Sequence, residues 1–291
     1  MASPTASDTI VLIHGLWMTP RSWEHWVPYY ENKGYRVLTP TYPGFEIEVE
    51  GLRASPEIIA NLTVPETLDH IAAQIEALDS PPIIMGHSFG GTLTQLLIAR
   101  GLGSAAVVID SAPTEGVRVS PPSQLKAFFP IVAKPSNHRS AFGFNPEQFH
   151  YAFTNTLSKK DSDAVYERYH IPAPGNWVWA YGLVANLKPG RQETWVDYAL
   201  NDRAPLLFIA GGEDHIMPAS VNRSNAKHYG KSTAITDYHE FPDRGHWTCG
   251  EPGWEEVADF ALDWAVQHAS TAHIRSAGAT GTSAEASSDT D

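Results

Sequence analysis

The stretch PPIIMGHSFGGTLTQLLIARG, residues 81–101, decides how this chain folds. An apolar run, Ile83–Met85, meets a cluster of small residues and continues as the apolar, helix-like TLTQLLIARG. Gly86 and Gly90 stand two before and two after Ser88. Small residues at those places permit a sharp strand-to-helix turn that lifts the serine clear of the sheet end. The same turn aims the first amides of the helix, those of Phe89 and Gly90, at the space above the hydroxyl, where the helix dipole favours negative charge. A serine so placed is suited to attack a carbonyl carbon, with Phe89 as an oxyanion donor.

Around this stretch, apolar runs alternate with amphipathic ones, the pattern of a parallel sheet with crossover helices. TIVLI (9–13), YRVLTPTYPG (35–44), AAVVID (105–110), APLLFIAG (204–211) and TAITDYHEF (233–241) read as further strands, about six in all. Thr19 and Pro20 cap a helix over RSWEHWVPYYENKG (21–34), which Pro28 should kink. In PETLDHIAAQIEAL (65–78), Leu68, Ile71, Ala72 and Ile75 share one helical face. Other helices are expected near 218–228 and over 251–268, the latter with Trp254, Val257, Phe260, Ala261 and Trp264 on one stripe.

Between about 114 and 200 no strand-like run appears. Helical patterns do: NPEQFHYAFTNTL (145–157) behind an Asn145 cap, SDAVYERYH (162–170) and NWVWAYGLVANL (176–187). The segment reads as a helical cap, with Phe149, Phe153, Trp177 and Trp179 either lining an apolar pocket or packing the cap onto the core. The expected organisation is a leader at 1–8, a core from 9–113 and 201–268, the cap at 114–200 and a disordered tail at 269–291, whose small polar residues bury too little to order.

The formal net charge is −13, with 20 Lys and Arg against 33 Asp and Glu. That excess argues against nucleic acid and anionic membranes as partners and points to a small-molecule substrate. The single cysteine, Cys249, rules out an internal disulfide framework and fits a reducing, cytoplasmic setting. No metal-ligand spacing such as H-E-x-x-H joins His14, His87 or His215, so neither metal nor cofactor is expected.

From Thr9 to His268 the chain resembles the α/β-hydrolase superfamily, in its serine-nucleophile branch with an inserted cap, like the esterases and the cofactor-free haloperoxidases. Besides the Ser88 turn, three stretches carry the likeness. LIHGLW (12–17) is similar to the family's His-Gly turn, which implies a second oxyanion-hole amide at Leu16 with Trp17 beside it. FIAGGEDHIMP (208–218) is similar to the acid loop, implying Asp214 as the acid. FPDRGHW (241–247) is similar to the histidine loop, implying His246 as the base. The order Ser, Asp, His is the family's order. Asp110 remains an alternative acid after its strand, with Glu213 and Asp243 nearby in sequence. His87, next to the serine, joins Trp17 and the cap aromatics as a candidate substrate contact. The resemblance implies hydrolysis of carboxylic esters, with lactones or thioesters as related substrates. Alternatives on the same three residues are a hydroxynitrile-lyase or carbon–carbon cleaving enzyme, or a ligand sensor.

Overall fold

The computed structural model describes residues 7–179 and 191–269. The expected tail beyond 269, the first six residues of the leader and most of the helix expected over 176–187 lie outside them.

In chain order, strand β1 (Thr9–Ile13) leads through a short 3-10 turn to α1 (Trp26–Glu31), β2 (Arg36–Leu38), α2 (Glu48–Ala54) and α3 (Val64–Glu76). Then come β3 (Ile83–His87), α4 (Phe89–Ala99) and β4 (Ala105–Ile109). The stretch from 110 to 205 holds α5 (Pro122–Val132), β5 (Ala141–Phe142), α6 (Pro146–Phe153), α7 (Lys159–Tyr169), β6 (Ala173–Pro174) and the single turn α8 (Gly175–Trp177). The chain returns to the sheet with β7 (Leu206–Gly211), α9 (Ala219–His228), β8 (Thr236–Phe241) and α10 (Trp254–His268).

The main sheet has six strands in the order β2-β1-β3-β4-β7-β8, and every pairing is parallel. It is buried on both faces, which is why its central strands read as unbroken apolar runs. Along β1, Ile10 and Leu12 pack with Trp23, Trp26 and Tyr30 and with Val257, Ala261 and Ala265 of α10. Val11 and Ile13 point the other way, into the cluster holding Ile71 and Ile75 of α3 and Leu93 and Leu97 of α4. The two-residue alternation of each strand thus feeds two helical layers.

Three elements differ from expectation. The first helix splits: Thr19 caps only the 3-10 turn Pro20–Trp23, and α1 starts at Trp26. Pro28 therefore falls in the first turn, where no intrahelical acceptor awaits its missing N–H, and no kink is needed. The strand at 35–44 shrinks to Arg36–Leu38 because Pro40 and Pro43 cannot donate to a ladder. The strandless segment contains one small antiparallel pair, Phe142 opposite Ala173.

The order of the sheet fixes where a ligand can sit. From β1 the chain moves outward to β2, then crosses back to place β3 on the other side of β1. The loops leaving β1 and β3 diverge at that switch, opening a crevice at the carboxyl ends of the strands. Leu16 and Trp17 follow β1, and Ser88 follows β3. Among the described residues no helix is long and apolar enough to cross a membrane.

Candidate active site

Ser88 links β3 directly to α4 and adopts φ 55, ψ −122. Left-handed φ at a non-glycine residue costs about 1–3 kcal/mol and persists only where the surroundings impose it. Here the Ser88 amide donates to Ile109 O of the next strand at 2.9 Å, while its carbonyl accepts from Gly91 N and Ala112 N at 2.9 Å each. The flanking glycines are required by contact. A Cβ on Gly86 would lie 2.2 Å from Gly90 O, and one on Gly90 would lie 2.2 Å from Ile13 O of β1. Gly86 therefore lets the strand and its own helix meet, whereas Gly90 clears the neighbouring strand.

Two loops at the same sheet edge bring the acid and the imidazole together. Asp214, after β7, and His246, after β8, form a 2.6 Å Nδ1···Oδ2 contact between fully buried side chains. The other oxygen of Asp214 accepts from Ile216 N at 2.8 Å and Met217 N at 2.7 Å. That carboxylate is therefore held in one orientation, and its pairing places the ring proton on Nδ1 and the lone pair on Nε2. The Nε2 atom is buried with no hydrogen-bond partner. His87, the residue before Ser88, bonds His246 O through Nε2 at 2.8 Å and packs its ring 4.7 Å from that of His246. The histidine loop is thus seated against the nucleophile turn.

Of the other acids considered, Glu213 and Asp243 are exposed. Asp110 is fully buried beside the site, with Oδ1 accepting from Gly211 N at 2.6 Å and Oδ2 unpartnered. Burial first, and then the proximity of Asp214, push its carboxyl well above the usual carboxylate range. Asp214, not Asp110, is the acid in contact with the imidazole. His87, Asp110 and His246 each bring a potential metal-ligand atom within 4.8 Å of one another. One nitrogen of each histidine is engaged elsewhere, His87 Nε2 with His246 O and His246 Nδ1 with Asp214. Burial holds His87 well below the usual imidazole value, in its neutral form.

Ser88 opens on a small chamber also lined by Leu16, Trp17, Phe89, Ala112, Phe128, Trp177, Val178 and Met217. Leu16 and Phe89 thus border the same space as the serine. Trp17 sits at φ 64, its indole N–H donating to Phe142 O at 3.0 Å. Phe149 and Phe153 do not line the chamber. They stack on each other at 4.9 Å, and Phe153 presses edge-on against the His246 ring at 4.7 Å, so they pack the insertion onto the histidine loop. Trp179 and His87 do not line the chamber either: Trp179 lies near His138 at 6.1 Å, and His87 packs against His246. The histidines set aside as metal ligands have other contacts: His14 stacks on Tyr42 at 3.9 Å and His215 Nδ1 bonds Tyr151 O at 2.8 Å. Cys249 is buried, and burial pushes its thiol well above its ordinary value.

Sequence reasoning did not single out Phe128, Val178 or Met217. For Phe128 a signal existed: Gln124, Ala127, Phe128 and Ile131 are the buried face of α5, spaced as an amphipathic helix requires.

The sequence matches the model of the α/β hydrolase family over residues 10–260. The chain belongs to that family. Solved structures resemble it at low identity. An extracellular α/β-hydrolase from a Paenibacillus species, described as sharing structural and functional homology with tobacco salicylic acid binding protein 2, aligns with a TM-score of 0.65 at 22% identity, covering 88% of this chain and 98% of that one. A polyneuridine aldehyde esterase aligns with a TM-score of 0.62 at 14% identity, over 89% and 99% of the two chains. A putative non-heme bromoperoxidase from Mycobacterium tuberculosis aligns at 0.63 and 22%, over 90% and 92%. Among curated protein sequences none matches this chain.

Proposed function

We propose that this hydrolase-family protein is a serine esterase, cleaving carboxylic esters of small to medium apolar or aromatic compounds through an acyl-enzyme on Ser88. The observation that carries the reading is the dry Asp214–His246 pair, which leaves His246 Nε2 without a partner in a loop seated against the serine turn. A serine hydroxyl is a weak nucleophile at neutral pH and needs such a base.

In the proposed reaction Nε2 takes the Oγ proton as Oγ bonds to the ester carbonyl carbon, and the carbonyl electron pair moves onto oxygen. The amides of Leu16 and Phe89 would receive that oxyanion, each contributing about 10²–10³ in rate by analogy with other such donors. The intermediate collapses with loss of the alcohol, which takes the proton back from the imidazolium. Water then repeats the sequence on the acyl-enzyme and releases the acid. Asp214 stabilises the imidazolium throughout. The insertion at 114–200 would act as the cap that keeps water from the chamber.

The test is turnover of p-nitrophenyl acetate together with intact mass after treatment with a short-chain fluorophosphonate. Hydrolysis lost in Ser88→Ala, and one adduct that maps to Ser88, are expected. A wild-type protein that neither turns over esters nor takes the adduct would overturn the proposal.

A further inference from the structure

Taking Ser88 as the nucleophile, we infer that the chamber beside it selects uncharged esters of the shortest acyl group, acetyl, over longer ones, and that Trp177 and Phe128 set the upper limit.

The inference starts from size. The chamber leaves about 20 Å³ for the centre of a water-sized group, little more than the roughly 10–15 Å³ that one water needs. An acetyl methyl fits such a space, whereas a longer chain must displace a wall. Among the described residues no ammonium, guanidinium or carboxylate lines it. A charged acyl group entering it would lose its hydration and find no partner.

The walls differ in how firmly they are held. Trp177 is fully buried, donates its indole N–H to Leu62 O at 2.6 Å and lies against the Phe89 ring at 4.8 Å. Its ring also approaches Tyr42 at 5.9 Å, so packing and a hydrogen bond fix the indole together. Phe128 faces the chamber from α5, and α5 is tied to the acid loop by Gln124 Nε2 donating to Ile216 O at 3.0 Å. Ile216 is also one of the two amides that orient Asp214. The wall that limits the acyl chain is therefore braced on the loop that carries the acid, and yielding to a long chain would disturb that loop.

A filled apolar pocket rejects one surplus methylene by about 10- to 200-fold. Ester chain length therefore reads the ceiling directly. For wild-type protein, kcat/KM on p-nitrophenyl esters is expected to drop at least 100-fold from acetate to octanoate, and hemisuccinate to be hydrolysed far more slowly than butyrate. Trp177→Leu and Phe128→Ala are expected to narrow the acetate-to-octanoate ratio at least tenfold, chiefly by raising octanoate turnover. Two variants on separate elements guard against one failing to fold, which thermal melting reports. A wild-type enzyme that cleaves octanoate as well as acetate overturns the inference, as do two folded variants with the wild-type chain-length profile. In both cases the fluorophosphonate adduct on Ser88 shows that the esterase reading itself survives. Absence of both adduct and turnover removes the esterase reading, and the chamber inference with it.

Discussion

Asp214→Asn tests the mechanism most sharply, because the structure dictates how the new amide must sit. One carboxylate oxygen accepts from two backbone amides, Ile216 N at 2.8 Å and Met217 N at 2.7 Å. An asparagine must present its carbonyl oxygen there, since its NH₂ would face two donors. The NH₂ is then directed at His246 Nδ1 across the present 2.6 Å contact. A donor in that place demands a lone pair on Nδ1, which moves the ring proton to Nε2. The atom that should take the serine proton then carries one already. Both side chains are fully buried, so no water relieves the conflict. In a serine protease the same replacement lowers kcat about 10⁴-fold, which corresponds to about 5.4 kcal/mol of barrier. The expected outcome is a fall of that order in kcat on p-nitrophenyl acetate at neutral pH, with a melting temperature near that of the wild type, since the substitution is isosteric. A loss below tenfold in a folded protein would refute the reasoning, because it would mean the tautomer of His246 is not set by Asp214.

Two further substitutions probe the scaffold of the site. Gly86→Ala would place a methyl 2.2 Å from Gly90 O and 2.3 Å from Thr94 Oγ1; overpacking of this kind costs about 1–3 kcal/mol or more, and a fall in melting temperature of several degrees should be seen by calorimetry. Asp110→Asn replaces a buried carboxyl by its isostere and should leave kcat within about threefold, less than ~0.7 kcal/mol of barrier. Its signature is pH dependence. Because burial raises the folded-state pKa of Asp110, the group contributes stability that is complete below the ordinary value of 3.8 and is lost as pH rises through the raised one. The variant lacks that loss, so its melting temperature relative to wild type should climb with pH across the window. A constant difference across pH would show that the carboxyl titrates normally.

The turn that carries Ser88 was legible in the sequence because close backbone approach leaves a compositional trace. Gly86 and Gly90 are small for reasons of contact, and the apolar runs on either side mark a strand buried on both faces. Asp214 and Asp110 were harder to separate. Both are buried aspartates just past the end of a parallel strand, and only the two amides supplied by Ile216 and Met217 distinguish the one that meets the imidazole. Amide direction is a property of the loop's backbone, which residue identity does not encode. The chamber was the least legible part. Aromatic content in the segment pointed to a pocket, yet Phe149 and Phe153 are spent on each other and on His246, while Phe128 and Trp177 line the chamber that Ser88 borders. Which aromatic faces a cavity depends on helix rotation across the fold, and α5 carries large apolar side chains on both its buried face and its exposed one, where Phe129 is 66% exposed.

Backbone strain shows what the site retains despite its cost. Among the described residues four non-glycine positions have left-handed φ, and three of them, Trp17, Ser88 and Asp110, follow β1, β3 and β4 at the same edge of the sheet. Glycine would adopt each conformation without the roughly 1–3 kcal/mol penalty. At Ser88 glycine would remove the hydroxyl. At Trp17 it would remove a wall of the chamber, and at Asp110 the oxygen that accepts from Gly211 N beside the acid loop. Sequence therefore reveals the Ser88 turn, through the glycines that contact requires beside it, and conceals those at Trp17 and Asp110, where a side chain has been kept against the preference of its own backbone. Those concealed turns ring the switch between β1 and β3, the place where the topology of the sheet opens a crevice.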